Sequence, residues 1–82
     1  MERKEIIEKV NHFLIEDIEI EEDDIKPNAN LFTDLGIDSL DVVDIIVLVE
    51  ENFGLKIKGE ELAEVKTLND FYDYVEKKVN AI

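Results

Sequence analysis

Asp38-Ser39-Leu40-Asp41-Val42-Val43-Asp44-Ile45-Ile46-Val47-Leu48-Val49-Glu50-Glu51-Asn52-Phe53-Gly54 is the most apolar part of the chain, and its local signals conflict. Val42, Val43, Ile45, Ile46, Val47 and Val49 are β-branched, and propensity alone allows a strand. From Ser39 to Phe53 the run is long for a strand and ordinary for a helix. Asp38 or Ser39 can cap its start, and Gly54 suits the left-handed position just past a helix end. The stretch therefore reads as a helix. At about 100° per residue it carries two apolar stripes. Val42, Ile45, Ile46, Val49 and Phe53 form one, which reads as core. Leu40, Val43 and Val47 form the other, flanked by Asp44, Glu50 and Glu51. This second stripe is either the edge of a wide buried face or an exposed recognition strip with an acidic rim.

Working outward, residues 2 to 16 place Ile6, Ile7, Val10, Phe13 and Leu14 at helical spacing, with charged residues on the other face. Glu16 to Asp24 holds seven acids in nine residues, a density that opposes a long helix by self-repulsion. Lys26-Pro27-Asn28-Ala29-Asn30 is a turn cluster, since Pro27 biases Lys26 away from helical dihedrals. A connection of about twenty residues is long for a small domain. It needs pinning, and Ile18, Ile20, Ile25, Leu31, Phe32 and Leu35 are available. After Gly54, Leu55 to Lys58 reads as an extended connector, and Gly59 to Glu64 as one or two helical turns with Leu62 inward. Thr67 caps a last helix to about Asn80, with Asp70 placed for the helix dipole. Leu68, Phe71, Tyr72, Val75 and Val79 form its apolar face. The expected architecture is all-α, a small four-helix bundle of three main helices and one short one, with a long first loop. Residues 1–82 are expected to form a single domain.

Composition narrows the function. The 82 residues hold 9 Lys+Arg against 22 Asp+Glu, a formal charge of −13. That charge repels phosphate backbones, so no nucleic acid is expected as a partner and basic protein partners are. With no Cys there is no disulfide framework, no Cys-ligated zinc and no intrinsic thiol chemistry. A hydrophobic content of 45% is too high for a disordered acidic tail. The chain starts without a signal-peptide pattern, and no apolar run approaches a membrane span. These features point to a cytoplasmic domain, and the charge, which disfavours self-association, to a monomer. A hydrolytic triad would have to join Ser39, the one Ser, to His12, the one His. His12 lies at the polar edge of the first helix and reads as solvated. No catalytic residues are expected, and no metal site. The calcium-loop pattern is absent, because Gly36 follows Asp34 too closely.

Ser39 stands at the start of the central helix. Position alone makes it an N-cap. A helix start also favours anions, and a hydroxyl there is well placed to carry a phosphoester, with Gly36 relieving backbone crowding just before it.

Asp34-Leu35-Gly36-Ile37-Asp38-Ser39-Leu40-Asp41 strongly resembles the D-L-G-x-D-S-L-D signature of acyl carrier proteins, and the likeness continues through Val43, Asp44, Glu50, Glu51 and Phe53. The resemblance implies that Ser39, beside Asp38 and Leu40, receives 4′-phosphopantetheine from coenzyme A through a Mg²⁺-dependent phosphopantetheinyl transferase. The arm then holds acyl groups as thioesters and passes them between acyl-transferring and fatty acid synthesis enzymes. A chain without Cys has to import its thiol. By the same resemblance, Leu40, Asp41, Val43, Asp44, Val47, Glu50 and Glu51 form the partner-binding surface facing basic docking patches. The core stripe, with Leu31, Ile57, Leu62, Val65, Phe71 and Tyr74, would line the acyl-chain space. The chain also departs from the family pattern. Lys58-Gly59 replaces a usual Pro-Asp or Pro-Glu, Val47 a Met, Leu48 an Ala and Asp44 a Glu, and Thr33 stands where an acid is frequent. These departures bear on partner choice, so a specialised carrier for a polyketide, lipid A or another dedicated pathway is the alternative. An unmodified acidic interaction domain is a further one. The G-G-x-S form of peptidyl carriers is not present, since Gly36-Ile37-Asp38-Ser39 stands there.

Overall fold

In a computed structural model that describes residues 1–81, Ser39–Phe53 is helical, so length wins over β-propensity. The helices are α1 (Arg3–Glu16), α2 (Ser39–Phe53), α3 (Gly59–Ala63) and α4 (Leu68–Asn80), with a single 3₁₀ turn at Glu22–Asp24 in the first loop. The helices pack α1 on α4, α2 on α3 and α1 on α2. One apolar cluster lies between them. Ile6, Val10, Phe13 and Leu14 of α1 meet Ile45 and Val49 of α2, Leu62 of α3, and Leu68, Phe71, Tyr72 and Val75 of α4. Phe13 and Phe71 meet edge to face, with centroids 6.5 Å apart, the arrangement the ring quadrupole prefers. Among the described residues no charged side chain is buried, and no buried side-chain polar atom lacks a partner.

The long first loop is pinned as its apolar residues require. Leu31 and Leu35 are buried, and Ile18, Ile20, Ile25 and Phe32 pack against the core from partly buried positions. The backbone adds a set of ties that periodicity does not foreshadow. Leu31 N–H donates to Lys66 O (2.8 Å), Leu68 N–H to Ala29 O (2.9 Å) and Asn69 N–H to Pro27 O (2.8 Å). The loop is thus stitched to the α3–α4 connection and the first turn of α4, which satisfies backbone groups that would otherwise be left unpaired in a long loop. At the end of α1 the chain turns through Glu19, at φ 66° the one non-glycine residue with positive φ among those described. Ile18 N–H reaches Phe13 O and Ile20 N–H reaches Leu14 O across that turn.

Gly54 takes the left-handed C-cap of α2, φ 68°, as expected. Thr67 Oγ1 accepts from Asp70 N–H (3.1 Å), and Asp70 Oδ2 accepts in return from Thr67 N–H (3.3 Å), completing a capping box. At the start of α3, where Lys58-Gly59 departs from the family pattern, Glu61 Oε2 accepts from Lys58 N–H (3.2 Å), a bond a proline there could not supply. The Glu61 carboxylate also accepts from Tyr74 O–H (3.1 Å) and Lys78 Nζ (3.0 Å), tying α3 to α4. The Lys78 and Lys58 contacts hold Glu61 below the usual carboxylate range. Burial and the adjacent carboxylate push Tyr74 up to about 12. On the far side of α4, Arg3 donates to Asp73 (2.7 Å), Glu76 (3.1 Å) and Asn69 (2.9 Å), closing α1 on α4.

Candidate carrier site at the start of the central helix

The turn that delivers Ser39 is built by Asn30 and Asp34. Asn30 Oδ1 accepts from Phe32 N–H (2.9 Å) and Thr33 N–H (3.0 Å), while Asp34 Oδ2 accepts from Asn30 N–H (2.7 Å). Leu35 and Ile37 are buried on either side of exposed Gly36, and Ile37 N–H donates to Leu31 O (3.0 Å). Two apolar anchors therefore fix the approach to α2. The expectation that Gly36 relieves crowding is not borne out, because a Cβ placed there would meet nothing within 4 Å. Its φ of +71° is the reason for glycine, since L side chains are strained in that region.

Capping is assigned to Asp38 and not to Ser39. Asp38 Oδ1 accepts from the N–H groups of Leu40 and Asp41, both at 3.0 Å, and Asp41 Oδ2 accepts from Asp38 N–H at 3.3 Å. Asp38 has extended dihedrals, and Ser39 is the first helical residue. The capping role that position alone gives Ser39 is thus overturned: its exposed hydroxyl has no hydrogen-bond partner among the described residues. An exposed, uncommitted hydroxyl at the positive end of a helix fits a covalently attached, anionic phosphodiester, which needs a free oxygen, open space and a favourable dipole.

Leu40, Val43 and Val47 are 76%, 59% and 47% exposed, which decides the question left open by the second stripe: it faces solvent. Apart from Met1 they are the large apolar side chains exposed among the described residues. Asp44, Glu50 and Glu51 border them and are exposed as well, while Asp41, half-buried, serves the cap. The opposite stripe of α2 is turned inward, with Ile45 and Val49 buried and Val42, Ile46 and Phe53 partly so. Of the further residues expected around an acyl chain, Leu31, Ile57, Leu62, Val65 and Phe71 are buried and Tyr74 is partly so. His12 is exposed on α1. No group of three or more His, Cys, Asp or Glu able to hold a metal ion occurs among the described residues, and no helix there is long and apolar enough to cross a membrane.

One feature near the site was not foreseen from sequence. Asp17 and Ile18, at the end of α1, line a cavity of about 240 Å³ together with Asp44, Val47 and Leu48 of α2. No local pattern signals it, because it arises where two segments almost thirty residues apart pack together.

Comparison with known proteins agrees with this geometry. The profile of phosphopantetheine attachment sites matches residues 8–75. The acyl carrier protein of Thermosynechococcus vestitus is 37% identical to this chain, aligned over 99% of it and 100% of its own length. That of Coprothermobacter proteolyticus is 35% identical over 96% of both chains. A crystal structure of an acyl carrier protein from Thermotoga maritima superposes with a TM-score of 0.80 and 32% identity, covering 99% of this chain and 94% of that one. The all-helical fold, the signature turn and these full-length likenesses place the chain in the acyl carrier protein family, whose members carry 4′-phosphopantetheine covalently.

Proposed function

We propose that residues 1–82 form one carrier domain that bears 4′-phosphopantetheine on Ser39, flanked by Asp38 and Leu40, and shuttles acyl intermediates between cytoplasmic enzymes of fatty acid biosynthesis. The observation that carries this reading is the division of labour at the start of α2. Asp38 caps the helix, which leaves the Ser39 hydroxyl exposed and free for modification. When attached, the arm supplies the terminal thiol on which acyl groups travel as thioesters, chemistry that a chain with no Cys lacks.

The chain's own residues position and present that arm. Leu35 and Ile37 anchor the turn before Ser39, and the cap holds the first turn of α2 rigid. Leu40, Val43 and Val47 offer partners an apolar strip, and Asp41, Asp44, Glu50 and Glu51 surround it with negative charge. Long-range attraction to basic patches speeds encounter, while a small apolar contact keeps each complex short-lived, as a shuttle serving successive enzymes requires. The domain itself performs no catalysis in this reading. Asp44, Val47 and Leu48, all departures from the family pattern, sit on or beside this surface, and they favour as second reading a carrier dedicated to a polyketide, lipid A or other specialised pathway.

Incubation with a phosphopantetheinyl transferase, coenzyme A and Mg²⁺ is expected to add one arm, seen by intact mass, and Ser39→Ala to abolish the addition. No addition to the wild type, or addition undiminished in the variant, rejects the assignment.

A further inference from the structure

The cavity between the end of α1 and the middle of α2 has an apolar floor and two carboxylates. Ile18 and Leu48 are half-buried against the core, and Val47, the last residue of the exposed strip, also lines the cavity. Asp17 comes from the C-cap of α1 and Asp44 from α2. Neither carboxylate forms a hydrogen bond or an ion pair among the described residues, whereas Glu61, Asp73 and Glu76 are all matched to bases. No basic residue lines the cavity. At about 240 Å³ it lies below the roughly 300–1,000 Å³ usual for small-molecule sites, and it suits a single long side chain.

We infer that this groove is a socket for one arginine of a partner enzyme, so that Asp17 and Ile18 of the first loop, and Leu48, extend the α2 docking surface and set its register. The inference rests on the carrier reading above. An arginine stem can lie along Ile18, Val47 and Leu48 while its planar fork serves two carboxylates at once. Lysine is a point charge without that fork. A purely apolar side chain would desolvate Asp17 and Asp44 without pairing them, at a cost. The groove adjoins Val47, so the same partner can cover strip and socket together.

The test uses the full chain and a phosphopantetheinyl transferase with coenzyme A and Mg²⁺, measuring KM for the carrier and kcat separately. Asp17→Asn is expected to raise KM about five- to tenfold with kcat unchanged, whereas Asp23→Asn, the same charge change elsewhere in the loop, shifts it less than about twofold. The Asp17→Asn/Asp44→Asn double variant is expected to depart from the product of the single effects, because both carboxylates grip one group. If the wild type is loaded but Asp17→Asn behaves like Asp23→Asn, or the two Asp effects simply multiply, the socket is refuted and the carrier reading stands. Failure of the wild type to load takes down both readings.

Discussion

Removing the carboxylate of Asp38 separates the structural role of the residue from its charge. Asp38 Oδ1 accepts two backbone N–H bonds of 3.0 Å at the start of α2, and these have no other protein acceptor. Truncation to Ala strips both, and N-cap losses of this kind cost about 0.5–2 kcal/mol. The upper half of that range is expected, since Asp41 Oδ2 also loses the fixed geometry of its bond to Asp38 N–H. For a domain of this size, about 1–2 kcal/mol lowers the melting temperature by roughly 4–16 °C. Asp38→Asn keeps an acceptor oxygen and removes the charge. It forfeits a favourable helix-dipole term of about 0.3–1 kcal/mol. It also relieves part of an overall charge of −13, so its net cost should stay below about 0.5 kcal/mol. Urea unfolding followed by far-UV circular dichroism at moderate salt measures both. Equal losses in the two variants, or a loss under about 0.3 kcal/mol in Asp38→Ala, would falsify the assignment of the cap to Asp38 and return it to Ser39. In that case the serine hydroxyl would not be free, and the main structural support for the carrier reading would go with it.

Other expectations follow from the charge and from the α3–α4 contact. Raising salt from about 10 to 300 mM, which shortens the screening length from roughly 30 Å to well under 10 Å, should raise the melting temperature, and a flat or falling value rejects intramolecular repulsion as a liability. Tyr74, pushed up to about 12 in the folded state against an ordinary value near 10, stabilises the fold fully below pH about 10 and ceases to do so as pH rises through about 12. Tyr74→Phe should therefore flatten the decline in stability between those values, and an unchanged alkaline slope rules the ionisation of partly buried Tyr74 out as its source.

What the residues announced locally and what they did not follow a physical line. Ile6, Val10, Phe13 and Leu14 mark α1 because a helix repeats its core contacts every turn, and Thr67 and Asp70 mark the start of α4 because capping is a three-residue matter. The choice of cap at α2 was not legible, since Asp38 and Ser39 are both good caps one position apart. The residue pattern alone left the exposure of Leu40, Val43 and Val47 open, since it depends on where neighbouring segments stop covering α2, and it was the resemblance that pointed to an outward face. The apolar pins of the loop were visible, but their backbone partners at Lys66 and Ala29 were not, because those bonds join segments whose meeting is a property of the whole fold. No local pattern sets Arg3 apart from the other charges of α1, yet it holds α1 to α4 through three acceptors.

The placement of the few cations gives the net charge a functional shape. Arg3 is committed to Asp73 and Glu76, Lys78 to Glu61, and Lys9 lies over the Phe53 ring with its ammonium on Asn52 O. Each is a tie within the bundle, made at its α1, α3 and α4 surfaces or at the C-terminal end of α2. None reaches Asp38, Asp41 or Asp44 near Ser39. Had a lysine of the chain paired with Asp44, a partner's basic group would first have to displace it, and most of the Coulomb gain would cancel. Leaving that rim unpaired costs fold stability through self-repulsion and keeps the attraction available for an incoming base. Three acids, Glu61 of α3 and Asp73 and Glu76 of α4, thus hold the bundle together, while those along α2 are withheld from ion pairs, where the strip and the Asp17–Asp44 groove lie side by side.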